Sequence, residues 1–296
     1  MSTEKELKEI VKDRYAKIAL QDKDVNASSC CGATTPTNKV YNIMMEDYSE
    51  MGGYNEDADL GLGCGLPTQF AKISKGDTVI DLGSGAGNDC FVARHEAGET
   101  GKVIGVDFTP IMIKKARENS EKLGYNNVEF REGDIDDMPI SDDVADVIVS
   151  NCVLNLVPNK EKVINEILRV LKPGGHFSIS DIVLVGKLPE ALKQDAEMYA
   201  GCVAGAIQKD DYLNYIKKAG FNNVEIQKEK IIVIPDDILL EYLSKEEITD
   251  FKNGTTGIFS VTVYAEKSGT SSKKDNVKLS DLQNESCCDP TSSSCC

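Results

Sequence analysis

Histidine is nearly absent from this chain of 296 residues; His95 and His176 are the only two. Neither stands at ligand spacing from a cysteine, and no Cys-x-x-Cys pair occurs, which argues against a structural zinc site. His95 falls in a predicted helix and His176 follows Pro173-Gly174-Gly175, so both read as structural residues rather than general bases. Basic charge is scarce too: 33 Lys and Arg face 49 Asp and Glu, a formal net charge of −16. Such a field repels a phosphate backbone, so no nucleic-acid partner is expected, and solubility accounts for the charge. No run of about 18 apolar residues is present to span a membrane. The opening Met1-Ser2-Thr3-Glu4-Lys5-Glu6 has no apolar signal-peptide segment. No internal repeat stands out. The expectation is a cytoplasmic protein with a small-molecule partner and no membrane attachment.

Cysteine, by contrast, is plentiful, with ten in the chain. A disulfide scaffold does not suit a chain of this length in a reducing compartment, so metal, metalloid or redox chemistry moves up.

Residues 4–20 place Leu7, Ile10, Val11, Tyr15, Ile18 and Ala19 on one helical face. Residues 26–36 are small and polar, include Cys30 and Cys31, and read as a mobile loop. Leu62-Gly63-Cys64-Gly65-Leu66-Pro67 then leads into a short helix over 67–73. From residue 77 strands and helices alternate. Strands are predicted at 78–82, 102–107, 128–131, 145–150, 176–184, 223–234 and 258–266. Helices are predicted at 87–97, 110–123, 160–171, 188–206, 210–220 and 237–246, with Lys172-Pro173-Gly174-Gly175 turning the chain from helix into strand. Apolar strands interleaved with helices give an α/β fold, a doubly wound, mostly parallel seven-stranded sheet covered on both faces. The expected organisation is an N-terminal helix and Cys-containing segment over 1–65, a ligand-binding core over 66–185, and a C-terminal α+β part over 186–267. Residues 268–296 form a tail, rich in Ser, Lys, Asp and Asn and expected to be disordered, with the pairs Cys287-Cys288 and Cys295-Cys296.

The core is organised around Asp81-Leu82-Gly83-Ser84-Gly85-Ala86-Gly87, a glycine-rich turn between a strand and a helix. Glycine lets backbone approach a ligand closely, and a helix start offers free N–H groups. In a doubly wound sheet the ligand sits beyond the carboxyl ends of the strands. Asp107 ends the second strand, placed to accept from two ribose hydroxyls. Asp134, in Gly133-Asp134-Ile135, is placed to accept from an adenine amino group, with Met112 and Ile135 sandwiching the ring. This order of motifs, through Leu171-Lys172-Pro173-Gly174-Gly175, resembles the class I S-adenosylmethionine-dependent methyltransferases. By that resemblance Asp81, Gly83, Gly85, Gly87, Asp107, Met112, Asp134, Ile135 and Asn151 line the cofactor, S-adenosylmethionine.

Cys152 stands at the end of the fourth strand, where the methyl group should lie. Cys90, inside a helix, reads as a small buried hydrophobe. Residues 60–65, 87–91 and 150–158, together with Cys202, resemble the arsenite methyltransferases, and Arg14-Tyr15-Ala16 with Ser29-Cys30-Cys31 is similar to microbial members. The resemblance covers residues 8–266. It implies that Cys64, Cys152, Cys202 and one of Cys30 and Cys31 bind and turn over arsenic(III), supplied as arsenite or its glutathione conjugate, with thioredoxin or glutathione as reductant. Two departures stand out. Gly201 replaces an acidic residue, and Leu62-Gly63 an aromatic pair, found in some members. The tail pairs Cys287-Cys288 and Cys295-Cys296 are candidate capture thiols. Two other readings are kept. One is a methyltransferase for a carbon or oxygen acceptor such as a quinone precursor, and the other is a metalloid-binding protein without turnover.

Overall fold

In the computed structural model, which describes residues 4–20, 46–187, 189, 206–233, 236–240, 243–254 and 256–269, seven strands form one sheet. They are β1 (Thr78–Leu82), β2 (Lys102–Asp107), β3 (Val128–Glu132), β4 (Ala145–Asn151), β5 (Leu171–Val185), β6 (Asn222–Ile232) and β7 (Gly257–Glu266). Their order is β3-β2-β1-β4-β5-β7-β6, and β7 alone runs antiparallel to its neighbours. The helices are α1 (Glu4–Ile18), α2 (Pro67–Phe70), α3 (Asn88–Ala97), α4 (Pro110–Leu123), α5 (Lys160–Val170), α6 (Lys209–Lys218), α7 (Asp236–Leu239) and α8 (Lys245–Asn253).

Alternation along each parallel strand assigns side chains to the two covered faces. Ile80, Ile104 and Ile148 face Val163, Ile164 and Ile167 of α5. Val79, Val103, Val147 and Val149 face Phe91 of α3 and Met112 and Ile113 of α4, and Ile18 and Ala19 at the end of α1 join that second layer.

Three boundaries differ from the sequence reading. Lys172-Pro173-Gly174-Gly175 is not a turn ahead of the strand: β5 already begins at Leu171, and the register with β4 shifts between Ala145 and Val147. The Gly174 N–H donates to Lys267 O and the Lys267 N–H to Gly175 O, so the Pro-Gly-Gly stretch is absorbed as an irregular strand start. The helix predicted over 237–246 is instead α7 and α8, because Ser244 and Glu247 form a capping box that starts α8. The helix at 67 stops at Phe70, and Lys72 then turns at φ 51°. The helix predicted over 188–206, the loop over 26–36 and the tail over 268–296 lie wholly or almost wholly outside the described residues. Among the described residues no helix is long and apolar enough to cross a membrane.

Candidate active site

The order of strands reverses between β1 and β4, and a cavity of about 1070 Å3, counting its open mouth, lies beyond their carboxyl ends. Gly83 and Gly85 shape its floor at φ 69° and 51°. A Cβ on Gly83 would strike Val153, whereas one on Gly85 would meet nothing and project into open space. Asp107 closes the end of β2. Its carboxylate accepts from Gly85 N–H (3.0 Å) and Thr109 N–H (2.8 Å), and burial, only partly offset by these donors, leaves its pKa above the usual range. The Ser84 hydroxyl, buried beside the cavity, has no hydrogen-bond partner among the described residues. Buried polar groups of this kind suit a polar ligand.

At the other end of the cavity lies an acidic cluster. Asp81 is buried and accepts from the Cys90 thiol at 3.3 Å; burial first, and the neighbouring Asp89 second, push its pKa well up. Burial lifts Asp89 to about 6, although Tyr48, Asn151 and Thr68 all donate to its carboxylate. The Tyr48 hydroxyl lies 2.9 Å from both Asp89 oxygens and itself accepts from Asn151 Nδ2 at 2.6 Å.

Beside this cluster lie two buried thiols, Cys64 and Cys152. Cys152 follows β4 in the left-handed region at φ 62°, its N–H donating to Ser180 O. It lines the cavity and also joins Cys64, Ile182, Ile232 and Ile258 in one buried apolar cluster. Tyr212 is buried nearby. Its pKa is pushed well up by burial, then by Asp181, and in smaller measure by the Cys64 and Cys152 thiols.

A methyltransferase domain model matches residues 73–235. An arsenite methyltransferase from Halobacterium salinarum is 42% identical over 81% of this chain and 61% of its own. One from Aquipseudomonas alcaligenes is 34% identical over 79% of this chain and 68% of its own. The chain belongs to the arsenite methyltransferase family. Among solved structures, an arsenic(III) S-adenosylmethionine methyltransferase from Chlamydomonas reinhardtii superposes with a TM-score of 0.58 at 29% identity, over 82% of this chain and 74% of that one. The chain therefore spans less than two thirds of the length of its Halobacterium relative.

In this member of the arsenite methyltransferase family, Asp81, Gly83, Gly85, Asp107, Met112, Asp134, Ile135, Asn151 and Cys152 all line the one cavity. Gly87 does not line it; a Cβ there would press on Phe130 and Phe91, so its place is in the packing of α3. Cys64 is also outside the lining, buried behind Gly63, and Cys90 is a buried thiol bonded to Asp81. Asp134 is not free for an adenine alone, because Lys8 of α1 forms an ion pair with it at 2.7 Å. Cys30, Cys31, Cys202, Cys287, Cys288, Cys295 and Cys296 lie outside the described residues. Among the described residues no three His, Cys, Asp or Glu side chains are grouped to hold a metal ion.

Sequence reading missed Tyr48, Asp89 and Lys8. Asp89 sits in the first turn of α3, where an acidic residue ordinarily complements the helix dipole. Tyr48 and Lys8 reach the cavity from segments whose contacts no local pattern encodes.

Proposed function

We propose that this protein moves methyl groups from S-adenosylmethionine to arsenic(III) bound by cysteine thiolates, giving methylated arsenicals for detoxification. The observation that carries the reading is the position of Cys152, which belongs both to the cofactor-type cavity and to the buried cluster holding Cys64. Soft thiolates favour a thiophilic centre such as arsenic(III) over hard cations.

The residues present fit the cofactor. Asp107 and Asp134 suit its ribose hydroxyls and adenine amino group, Met112 and Ile135 suit the flat ring, and the unpartnered Ser84 hydroxyl offers a further contact. When bound, the cofactor supplies an electrophilic methyl group on a cationic sulfur. Cys64 and Cys152, with Cys202, hold the acceptor: three thiols condense with arsenous acid and release three waters. The arsenic lone pair is then the nucleophile, and it has no proton to lose, so no general base is required. His176 supports this division, being occupied structurally with Nε2 2.7 Å from Ala71 O and its ring against Tyr264. Positioning of donor and acceptor supplies most of the rate.

Methyl transfer oxidises arsenic to the pentavalent state. Two protein thiols return it to the trivalent state by forming a disulfide. We assign one of these two thiols to Cys30 or Cys31 and the other to a cysteine of the arsenic site, with thioredoxin or glutathione regenerating the pair. The tail cysteines capture arsenite for the site. A reducing compartment such as the cytoplasm suits this chemistry.

Arsenic speciation after incubation with arsenite, S-adenosylmethionine and a thiol reductant tests the reading. Wild type should release methylated arsenic, and Cys64→Ser, Cys152→Ser and Cys202→Ser should each lose at least tenfold in rate. Arsenic bound but never methylated would mean a sequestering protein. Unimpaired transfer by the Cys152→Ser variant to a carbon or oxygen acceptor would mean a different methyltransferase.

A further inference from the structure

Asn151 is the last residue of β4, fixed there by pairing with Ser180 of β5. Its side chain spends every polar atom on neighbouring segments. Oδ1 accepts from the Cys64 N–H at 3.0 Å. Nδ2 donates to Gly65 O at 2.9 Å and to the Tyr48 hydroxyl at 2.6 Å, and lies 3.3 Å from Asp89 Oδ2. One amide thus holds both sides of the Cys64–Gly65 peptide unit. From the opposite side, the Ser260 hydroxyl of β7 donates to Cys64 O at 2.6 Å. The glycines flanking Cys64 make this grip possible. A Cβ on Gly63 would lie 2.6 Å from Asn151 Nδ2, and one on Gly65 would lie 2.5 Å from Ser180 Oγ.

The residue after Asn151 is Cys152, whose own N–H is held by Ser180 O. The strand end that carries one thiol therefore also clamps the backbone of the other, 87 residues earlier in the chain. Only an amide of this length meets the site: it presents an acceptor to an N–H and donors to a carbonyl and a hydroxyl at once. A carboxylate would face Gly65 O and Asp89 with no proton to offer.

We propose that Asn151 is the positioning residue that sets the Cys64 thiol against Cys152, so that the pair engages one arsenic atom. This rests on the arsenic reading above and assigns Asn151 to the thiol site rather than to cofactor contact alone. A two-thiol probe reads the pair directly, since phenylarsine oxide condenses with two thiols and releases one water.

The experiment uses the full chain with Cys30, Cys31, Cys287, Cys288, Cys295 and Cys296 replaced by Ser, so that the probe has no competing vicinal pairs. Phenylarsine oxide affinity and S-adenosylhomocysteine affinity are measured for this chain, for Asn151→Ala, for Gly63→Ala, and for the double variant. Each single variant should weaken the arsenical by at least tenfold, and by clearly more than it weakens the nucleoside ligand. The double variant should be no worse than either single one, because removing the amide makes room for the alanine Cβ. Unchanged arsenical affinity in the single variants overturns the proposal, as do penalties that add in the double variant. Should Asn151→Ala not fold, Gly63→Ala displaces the same amide and carries the comparison alone. If the parent chain itself does not bind phenylarsine oxide, or binds it equally with Cys64→Ser, the thiol-pair reading fails and this assignment with it.

Discussion

Lys8 of the N-terminal helix places its ammonium 2.7 Å from Asp134, across the mouth of the cofactor-type cavity and 126 residues away in sequence. The same ammonium lies 2.7 Å from Asp136, which Lys162 also approaches. Burial alone would raise the Asp136 pKa, yet the two lysines hold it below the usual carboxylate value. Tyr15, seven residues on, faces the cavity as well, so α1 forms one of its walls.

Replacing Lys8 by Met should weaken S-adenosylhomocysteine binding by a few-fold at low salt and less at high salt. Part-exposed ion pairs contribute roughly 1 kcal/mol or less and are screened. Calorimetric titrations at two ionic strengths measure this. Tighter binding by the variant would mean that Lys8 competes with the ligand for Asp134 instead of closing α1 over it.

Asp89 gives the site a pH dependence. Burial raises its pKa to about 6, so the group is protonated below that pH and anionic above it. A cationic sulfonium favours the anion. Affinity for S-adenosylmethionine should therefore climb with pH up to about 6, by at most about one decade per unit for a single linked proton, and level off above. S-adenosylhomocysteine, with a neutral sulfur, should climb less. Asp89→Asn should flatten the difference between the two ligands; identical profiles in wild type and variant would remove Asp89 from this role.

Asp181 makes the opposite demand on stability. It is fully buried, with Tyr212 OH 3.3 Å from its carboxylate, and burial lifts its pKa to about 7 despite the nearby Lys160 ammonium. In the unfolded chain the carboxyl ionises near pH 4. Between about pH 4 and 7 the folded protein keeps a proton that the unfolded chain releases, so this group makes stability fall as pH rises through that window. At about 1.36 kcal/mol per unit the fall amounts to as much as about 4 kcal/mol. Denaturant titrations at pH 5 and 8 should show a clearly smaller loss for Asp181→Asn than for wild type.

Much of the fold was legible because its determinants are local. Apolar strand runs, the glycine turn at 83–87, Pro110 in the first turn of α4 and the acidic strand end at Asp107 each act over a few residues, and all appear where expected. Local signals also explain the misreadings. Pro173 and Gly174 punctuate most chains as a turn, but the hydrogen bonds of Gly174 and Gly175 with Lys267, just past β7, hold this stretch at the start of a strand. Ser244 lies in a helical-looking stretch, yet its capping box starts a new helix there.

Sequence alone determined the alternating sheet, the glycine-lined ligand turn and the supply of cysteines, since backbone propensity and side-chain periodicity operate between near neighbours. Tertiary structure alone decided that Asn151 grips the Cys64 peptide, that Tyr48 hydrogen-bonds Asp89 in one buried pocket, and that Lys8 occupies Asp134. These contacts join segments tens of residues or more apart. They depend on how the strands order themselves and on the exclusion of water between them, and neither is written in any short stretch of chain.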